Sequence, residues 1–296
     1  MKKRNFLFAA AVSTVLAVIS GCKSVPAVSN SVDPLLLLDN NSSFYLRIPA
    51  SVDENLISRV MSGAVKGLRE NDARLIAERI DVVYAGLNRT RRKTDYQLSA
   101  SCAFPKAAIS RAFSKKNGWE KKCIVLNDDS GAPAEYSVYT DGAICVSVPD
   151  AQTACAGRNV SDMVEIYHKL YYRLSESSLD EHIASWLAYD SERPDNRIKY
   201  YASKPQSFLT MLTGAALNFN LVYVRGEIAA DEKRDDQFIM DFEFEFRDRR
   251  FVPAARGSLA LAFGLTDSDV FLETPTHLVV KNIKISKEQF YNILVL

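Results

Sequence analysis

The sequence predicts an α+β protein made of two tandem units that share one order of elements: strand, helix, two strands, helix, strand. Some segments have apolar residues at helical spacing and others alternate apolar with polar residues, which separates helices from strands. The order found in the first half returns in the second. Short stretches also match between the halves, such as Val-Val-Tyr at 82–84 and Leu-Val-Tyr at 221–223. We interpret the repetition as an internal duplication.

The composition is that of a folded protein, with 47% hydrophobic and 25% charged residues in 296. This length suits one large domain or two ordinary ones. The formal net charge is +1, but three basic residues lie at positions 2–4. Without them, the body has two more acidic than basic side chains. A body this close to neutral has no general attraction for nucleic acid, so no nucleic-acid partner is predicted.

The first 21 residues have the pattern of a secretion signal. Basic residues at 2–4 precede an apolar stretch at 6–19, and small residues stand at 20–21 before Cys22. The apolar stretch is too short for a membrane-spanning helix, which needs about 20 residues. We therefore predict that residues 1–21 are removed on export.

The segment Ile-Ser-Gly-Cys at 19–22 resembles the lipobox of bacterial lipoprotein signal peptides. This resemblance implies that the Cys22 thiol receives a diacylglyceryl group and that its freed amine receives another acyl chain. At least two membrane signals are needed for stable anchoring. Lys23, in place of aspartate, implies by the sorting rule of enteric-type envelopes an outer-membrane or surface location over the inner membrane. The predicted protein is exported and lipid-anchored.

Residues 22–43 are expected to form a lipidated tether rich in Ser, Asn, Val and Pro. The run of four leucines at 35–38 interrupts it. Because exposing such a run is costly, we expect it to dock on the body as the first packed element. The alternative is a small partner-binding patch.

The first α+β unit is predicted over 44–150. Pro105 suits the first position of a helix, and the Asp-Gly pair at 141–142 suits a hairpin turn. The predicted order, βαββαβ, is that of the ferredoxin-like unit with antiparallel sheet. The elements predicted here are strands at 44–49, 81–87, 96–104, 119–126, 136–139 and 143–148, and helices at 53–68, 72–80 and 105–113.

A helical connector over 151–192 and a second α+β unit over 193–296 complete the prediction. The connector is expected to hold helices at 162–174 and 179–189. The second unit is expected to hold strands at 197–202, 217–228, 238–246 and 270–285, and helices at 205–212 and 253–263. Residues 81–148 contain a Phe-Pro pair before a predicted helix and an Asn-Gly-Trp segment after it. This succession of elements resembles uncharacterised repeat domains of bacterial envelope proteins. That resemblance implies a fold and no reaction.

The sequence has none of the metal or nucleotide motifs sought. The histidines are His168, His182 and His277, without His-Glu-x-x-His spacing, and no glycine-rich phosphate loop or Gly-x-Ser-x-Gly elbow occurs. A metal site assembled in space from His168, Glu165 and His182 is the alternative to histidines that serve structure alone. We predict no metal, no cofactor and no catalytic residue.

Four cysteines remain beside Cys22, and all lie in the first half. An even number in an exported protein permits two disulfides in any of three connectivities. Pairing the last two would close a short loop, but the other two would lie on strands that are not adjacent in a ferredoxin-like sheet. Buried free thiols are the alternative. The cysteines are Cys102, Cys123, Cys145 and Cys155.

Two charged segments of the sequence each allow two interpretations. A basic hairpin turn could contact anionic lipid headgroups, or it could be a solvated turn. The segment 241–246 alternates carboxylates with phenylalanines, so Glu243 and Glu245 are expected on the wet face of an amphipathic strand and not as an acid–base pair. The side chains of the basic turn are Arg89, Arg91, Arg92 and Lys93.

These features favour a non-enzymatic binding or scaffold module of the envelope, with an unknown protein or glycan partner. The alternative is a carrier of a small apolar ligand or lipid. Tyrosines would then line its pocket: Tyr167, Tyr171, Tyr172, Tyr200 and Tyr201.

Overall fold

The computed structural model describes residues 31–53, 55–64, 70–89, 94–192, 194–213, 219–266 and 269–295. Within them lie twelve strands and eight α-helices. The strands are β1 (Phe44–Pro49), β2 (Ile80–Arg89), β3 (Thr94–Cys102), β4 (Glu120–Asn127), β5 (Pro133–Thr140), β6 (Cys145–Ser147), β7 (Thr153–Gly157), β8 (Ile198–Ala202), β9 (Leu221–Ala230), β10 (Gln237–Phe246), β11 (Val270–Thr274) and β12 (His277–Ser286). The helices are α1 (Leu56–Ala64), α2 (Glu70–Ala77), α3 (Lys106–Ala112), α4 (Ser161–Tyr171), α5 (Glu181–Leu187), α6 (Pro205–Thr213), α7 (Val252–Phe263) and α8 (Lys287–Val295).

All twelve strands form one sheet in the order β11-β12-β10-β9-β8-β1-β2-β3-β7-β6-β5-β4. Every neighbouring pair is antiparallel. Strand β1 joins the two halves, because its Arg47 lies opposite Tyr84 of β2 on one side and Lys199 of β8 on the other. The sheet is therefore continuous through the middle of the chain.

The predicted α+β class and antiparallel sheet are confirmed, whereas the tandem ferredoxin-like arrangement is not. In a ferredoxin-like unit the first two strands are joined through a helix, run parallel to each other and are separated by another strand, so they do not pair directly. Here β1 pairs antiparallel with both β2 and β8. The order of elements along a chain leaves the order of strands in the sheet open, and here strands mostly pair with neighbours in sequence.

Three elements depart from the predicted boundaries. Strand β7, Thr-Ala-Cys-Ala-Gly, lies within the predicted helical connector, and its small side chains give little strand signal. The single strand predicted over 270–285 is the hairpin of β11 and β12, which turns at Pro275 and Thr276. Helix α8 follows it and was not predicted.

The helices lie on both faces of the sheet but cover them unequally. On the first face, α1, α2, α6, α7 and α8 pack over the core that contains the phenylalanines of β10. On the second face, a short 3-10 turn (Pro34–Leu37), α4 and α5 pack over another core. In the described residues, the helices of this second face contact β1, β4 and β8. Strands β9, β10 and β12 instead present charged side chains on that face.

The leucines at 35–38 dock on the body as predicted. Leu35, Leu37 and Leu38 are at most 1% exposed. The carboxylate of Asp33 caps their 3-10 turn by accepting from the Leu35 N–H at 2.9 Å, and the Ser99 hydroxyl donates to the Pro34 carbonyl at 2.7 Å. Burial raises the pKa of Asp33, against the lowering effect of its bond to Leu35. The start of the described chain is thus part of the core.

No helix in the described ranges combines the length and apolarity that crossing a bilayer requires.

Candidate binding surface

Helix α7 has a nearly uncharged sequence although one of its sides faces solvent. Its residues read Val-Pro-Ala-Ala-Arg-Gly-Ser-Leu-Ala-Leu-Ala-Phe, with Arg256 as the single charge. A proline sits at its first turn and Gly264 ends it in the left-handed region at φ 63°. Its inner side is fixed by Ala255 and Leu259, both 0% exposed. Amphipathic surface helices normally place charges on the outer side, and α7 mostly lacks them.

The outer side of α7 and the edge strand β11 line a common pocket and carry exposed leucines, and we call them together the α7–β11 surface. Leu261 is 85% exposed and Leu272 of β11 is 48% exposed. Between helix and strand lies a shallow pocket of about 350 Å³. Its lining consists of Val252, Pro253, Arg256, Gly257, Ala260 and Leu272.

The pocket is open beside Gly257, since a Cβ added there would meet no atom within 4 Å. Single exposed apolar side chains are ordinary, but contiguous ones mark contact sites. The small residues Ala254 and Gly257 let another surface approach the helix backbone closely. The α7–β11 surface is therefore the best candidate for a binding function.

The second face of β9, β10 and β12 is charged but internally paired. Arg225 donates from Nε to Glu243 at 2.6 Å and stacks over the Trp186 ring at 4.2 Å. His277 Nδ1 lies 3.2 Å from a Glu273 oxygen. These contacts pair charged side chains of this face with one another.

The alternation predicted for β10 is confirmed. Phe242 and Phe244 are 1% and 0% exposed, and the carboxylates between them lie on the opposite face. Glu243 accepts from Arg225, as an ion pair does. The expectation that Glu243 and Glu245 belong to the wet face of a strand holds.

The structure separates the residues of the alternative metal site. His168 is 3% exposed on α4, with Nδ1 3.0 Å from the Tyr136 hydroxyl and Nε2 3.0 Å from the Asn127 carbonyl. Glu165 accepts from Lys169 at 2.6 Å on the outer side of the same helix. His182 lies in the exposed first turn of α5. In the described chain no group of three such side chains could hold a metal ion.

The four cysteines are free thiols in the structure. Burial raises the pKa of Cys155 to about 12 and that of Cys102 still further. Cys145 is partly buried on β6, and Cys123 is exposed on β4. The disulfides permitted by the sequence stay a prediction.

Two predicted sites lie outside what the structure describes. Cys22 precedes residue 31, and Arg91, Arg92 and Lys93 fall in the gap after β2. Arg89 ends β2, but only its backbone is described. Lipidation and contact with anionic headgroups therefore also stay predictions.

The tyrosines proposed to line a ligand pocket lie on opposite faces of the sheet. Tyr200 packs in the first-face core and its hydroxyl donates to the Asp241 carbonyl at 2.6 Å. Tyr167 packs in the second-face core and donates to Asp150 at 2.6 Å. Tyr201 also belongs to the second-face core, so the sheet separates Tyr200 from the others and the proposed set does not line one pocket.

Sequence reasoning missed a buried arginine at the junction of the halves. Arg47 is 1% exposed and donates to the Ala188 carbonyl at 2.6 Å and to Asp195 at 3.0 Å. Burial raises the pKa of Asp195, but hydrogen bonds from Arg197 and Arg47 outweigh it and leave that pKa lowered. The signal available was a lone charge inside the apolar strand Phe-Tyr-Leu-Arg-Ile-Pro.

The α7–β11 surface was also missed. Its signal was a twelve-residue helix with a single charge.

Comparison with known proteins gives one family. Residues 29–291 match the family model described as outer membrane-associated lipoprotein TP0453. A curated relative, outer membrane protein TP0453 of Treponema pallidum (strain Nichols), is 28% identical over 124 residues, which are 42% of this chain and 39% of the relative. That alignment spans less than half of the relative's length.

Solved structures of TP0453 show the same fold. Crystal form I has a TM-score of 0.65 at 19% identity, and crystal form III has 0.64 at 20%. Each comparison covers 90% of this chain and 98% of the other. At this identity the likeness concerns the fold alone.

Proposed function

This chain belongs to the family of outer membrane-associated lipoproteins described by TP0453, and on that premise we propose that it is a non-enzymatic binding or scaffold module. Its location is that of its family: it is exported and anchored by lipid at the outer membrane, as predicted. The finer proposal concerns the residue that anchors it and the surface that binds.

We propose Cys22 as the anchor. The test is a Cys22→Ser variant in cells fed an alkyne-labelled fatty acid. The wild-type protein should take up label and the variant should take up none, because the variant lacks the thiol that accepts the first acyl group. Cys123→Ser is the matched control and should behave as wild type. Uptake of label by the Cys22 variant would reject this anchor.

The observation that carries the binding proposal is the exposure of Leu261, 85%, on an outer helix side that is almost without charge. A side chain of this kind is stabilised when a partner removes it from water, at about 25 cal/mol per Å² of apolar area. The open space beside Gly257 would accept an apolar side chain of that partner. A protein with a short apolar ridge fits these features.

The binding test uses a photo-crosslinking amino acid at position 261 in intact cells. We expect a discrete adduct with one envelope protein, identified by mass spectrometry. The matched control places the same amino acid at Val222, another exposed apolar residue (39%) on β9, and should give no such adduct. Equal adducts at both positions, or none at 261, would reject the α7–β11 surface as the docking site.

A second candidate function is supported by the pocket of about 350 Å³ beside α7. An apolar ligand such as a lipid chain could lie there, and the protein would then act as a carrier. The interior beneath it favours the scaffold, since rings fill it: Phe242 stacks on Phe244 at 5.7 Å and on Phe263 at 5.8 Å. Native mass spectrometry of gently purified protein decides, because a carrier should retain lipid that a Leu272→Asp variant loses.

A further inference from the structure

Strand β4 forms one edge of the sheet and is unusually regular for an edge. It pairs with β5 over eight consecutive residues without a register shift. The opposite edge, β11, is shorter and has a register shift. Edge strands in natural proteins are commonly shortened, bulged or covered to prevent pairing with other chains. In the described chain, β4 is neither shortened nor bulged.

The turn between β4 and β5 shows which backbone groups of β4 bond β5 and which point outward. The Asp128 N–H donates to the Ala132 carbonyl at 3.1 Å, and Pro133, which has no N–H, lies opposite Asn127. Because an antiparallel strand turns alternate residues toward its partner, the even-numbered residues bond β5. The N–H and C=O groups of Lys121, Cys123 and Val125 therefore point away from the sheet.

The side chains near the middle of this edge are uncharged. Residues 123–126 read Cys-Ile-Val-Leu. Ile124 and Leu126 pack on the second-face core, whereas Val125 is 55% exposed and Cys123 is exposed. This edge offers backbone groups and an apolar side chain, and its charged residues all lie on one side of Cys123, at 120–122.

We propose that β4 pairs antiparallel with β4 of a second copy of this chain, with the two Cys123 residues facing each other across the two-fold axis. Lys121 of one copy then lies opposite Val125 of the other, and each outward N–H meets an outward C=O. The pattern gives six hydrogen bonds by the antiparallel rule of two for each bonded pair.

Charge complementarity favours a second copy over an unrelated strand. On β5, Glu135 lies directly beside Val125. In the proposed dimer, Lys121 of the other copy lies on the far side of the same Val125 and on the same face. Its long side chain can reach over the valine toward that carboxylate. The two-fold axis generates a second row of Lys121, Val125 and Glu135 with the roles of the two copies exchanged, so the β4 edge is complementary to itself. The interface is small, which predicts a weak dimer.

The test is sedimentation of the full-length protein over a concentration series, combined with a short bis-maleimide. We expect concentration-dependent dimers and a crosslinked Cys123–Cys123 peptide identified by mass spectrometry. The Cys123→Ser variant should lose that crosslink but keep the dimer. A monomer at every concentration, or crosslinks through other cysteines only, would overturn the proposal.

A second pair of variants separates the interface from folding. Val125→Pro removes an outward N–H that makes no bond within the chain, and edge positions of this kind tolerate proline. Val125→Ala keeps that N–H and is the matched control. With circular dichroism unchanged, we expect Val125→Pro to weaken the dimer at least about tenfold more than Val125→Ala. Equal dimerisation by both variants would also reject the pairing.

Discussion

Strands β2 and β10 are both ten residues long, yet they bury their side chains differently. In β2, the consecutive residues Tyr84 and Ala85 are 2% and 4% exposed. In β10, burial alternates strictly, with every phenylalanine inside and every carboxylate on the other face. Helices cover β2 on both faces and β10 on one, so the same sheet is a central layer in its middle, at β2, and a surface layer near one edge, at β10.

The difference explains why the sequence predicts which side chains of β10 are buried but does not do so for β2, although both were predicted as strands. A strand covered on one face shows period-two alternation, whereas a strand covered on both faces reads as a mixed apolar run. It also separates roles. The strands covered on both faces fix the fold, whereas the strands covered on one face leave the other face exposed to partners. Five measurements would break or sharpen this contrast.

The largest effect should come from Ala85→Asp in β2. It places an unpaired carboxylate in the first-face core, which should cost more than about 5 kcal/mol and prevent folding. Ala229→Asp in β9 is the matched control, because Ala229 lies on the charged open face, and it should cost within about 1 kcal/mol. Urea denaturation followed by circular dichroism measures both. Similar losses would mean that β9 is covered in solution.

The next effect tests β10 itself. Phe244→Ala removes a fully buried ring and should lower the free energy of unfolding by about 4 kcal/mol. Glu245→Ala, one position along, should change it by less than about 0.5 kcal/mol. Urea midpoints of the two variants give the comparison. An equal cost at both positions would contradict one-sided burial.

A smaller effect is expected at the junction of the two regions. Asp195→Ala leaves Arg47 with carbonyl acceptors only, and we expect a loss of about 2 kcal/mol, less than for a fully buried pair because Asp195 is 26% exposed. The exposed pair of Glu165 and Lys169 gives the control, with Glu165→Ala costing less than about 0.5 kcal/mol.

The Arg47–Asp195 pair also predicts how the free energy of unfolding changes with pH. The folded-state pKa of Asp195 is lowered, with burial opposing and the arginine hydrogen bonds prevailing. Its contribution is therefore complete above the ordinary aspartate pKa of 3.8 and is lost as pH falls through the lowered value. Unfolding of wild type and Asp195→Ala at neutral and acid pH should converge in acid. A constant difference would reject the ion pair.

The smallest effect is expected in a thiol-labelling experiment on the Cys22→Ser variant. Cys123 on the edge should react fast with a thiol reagent, whereas Cys102 and Cys155 should react only on unfolding, because burial raises their pKa values and blocks access. Replacing Cys123 with serine should remove the fast phase. A fast phase that persists would show that the covered part of the sheet opens readily.

Much of the element content was predictable because local patterns were strong. The Phe/Glu alternation of β10, the proline that begins the helix at Lys106, and the hairpin turn at Asp141 and Gly142 each follow from residues that leave few options. The pairing of β1 with β8 was not predictable, since it joins residues about 150 positions apart. Nor was the role of Arg47, whose partners come from the segment before β8.

With the anchor proposed at Cys22, the docked 3-10 turn at Pro34–Leu37 would limit how far the body can stand from the membrane. Only about ten residues separate Cys22 from the turn, and a chain of that length spans at most about 35 Å when fully extended. A body anchored in this proposed way is therefore held within about 35 Å of the bilayer. Partners that meet it must come to the lipid surface.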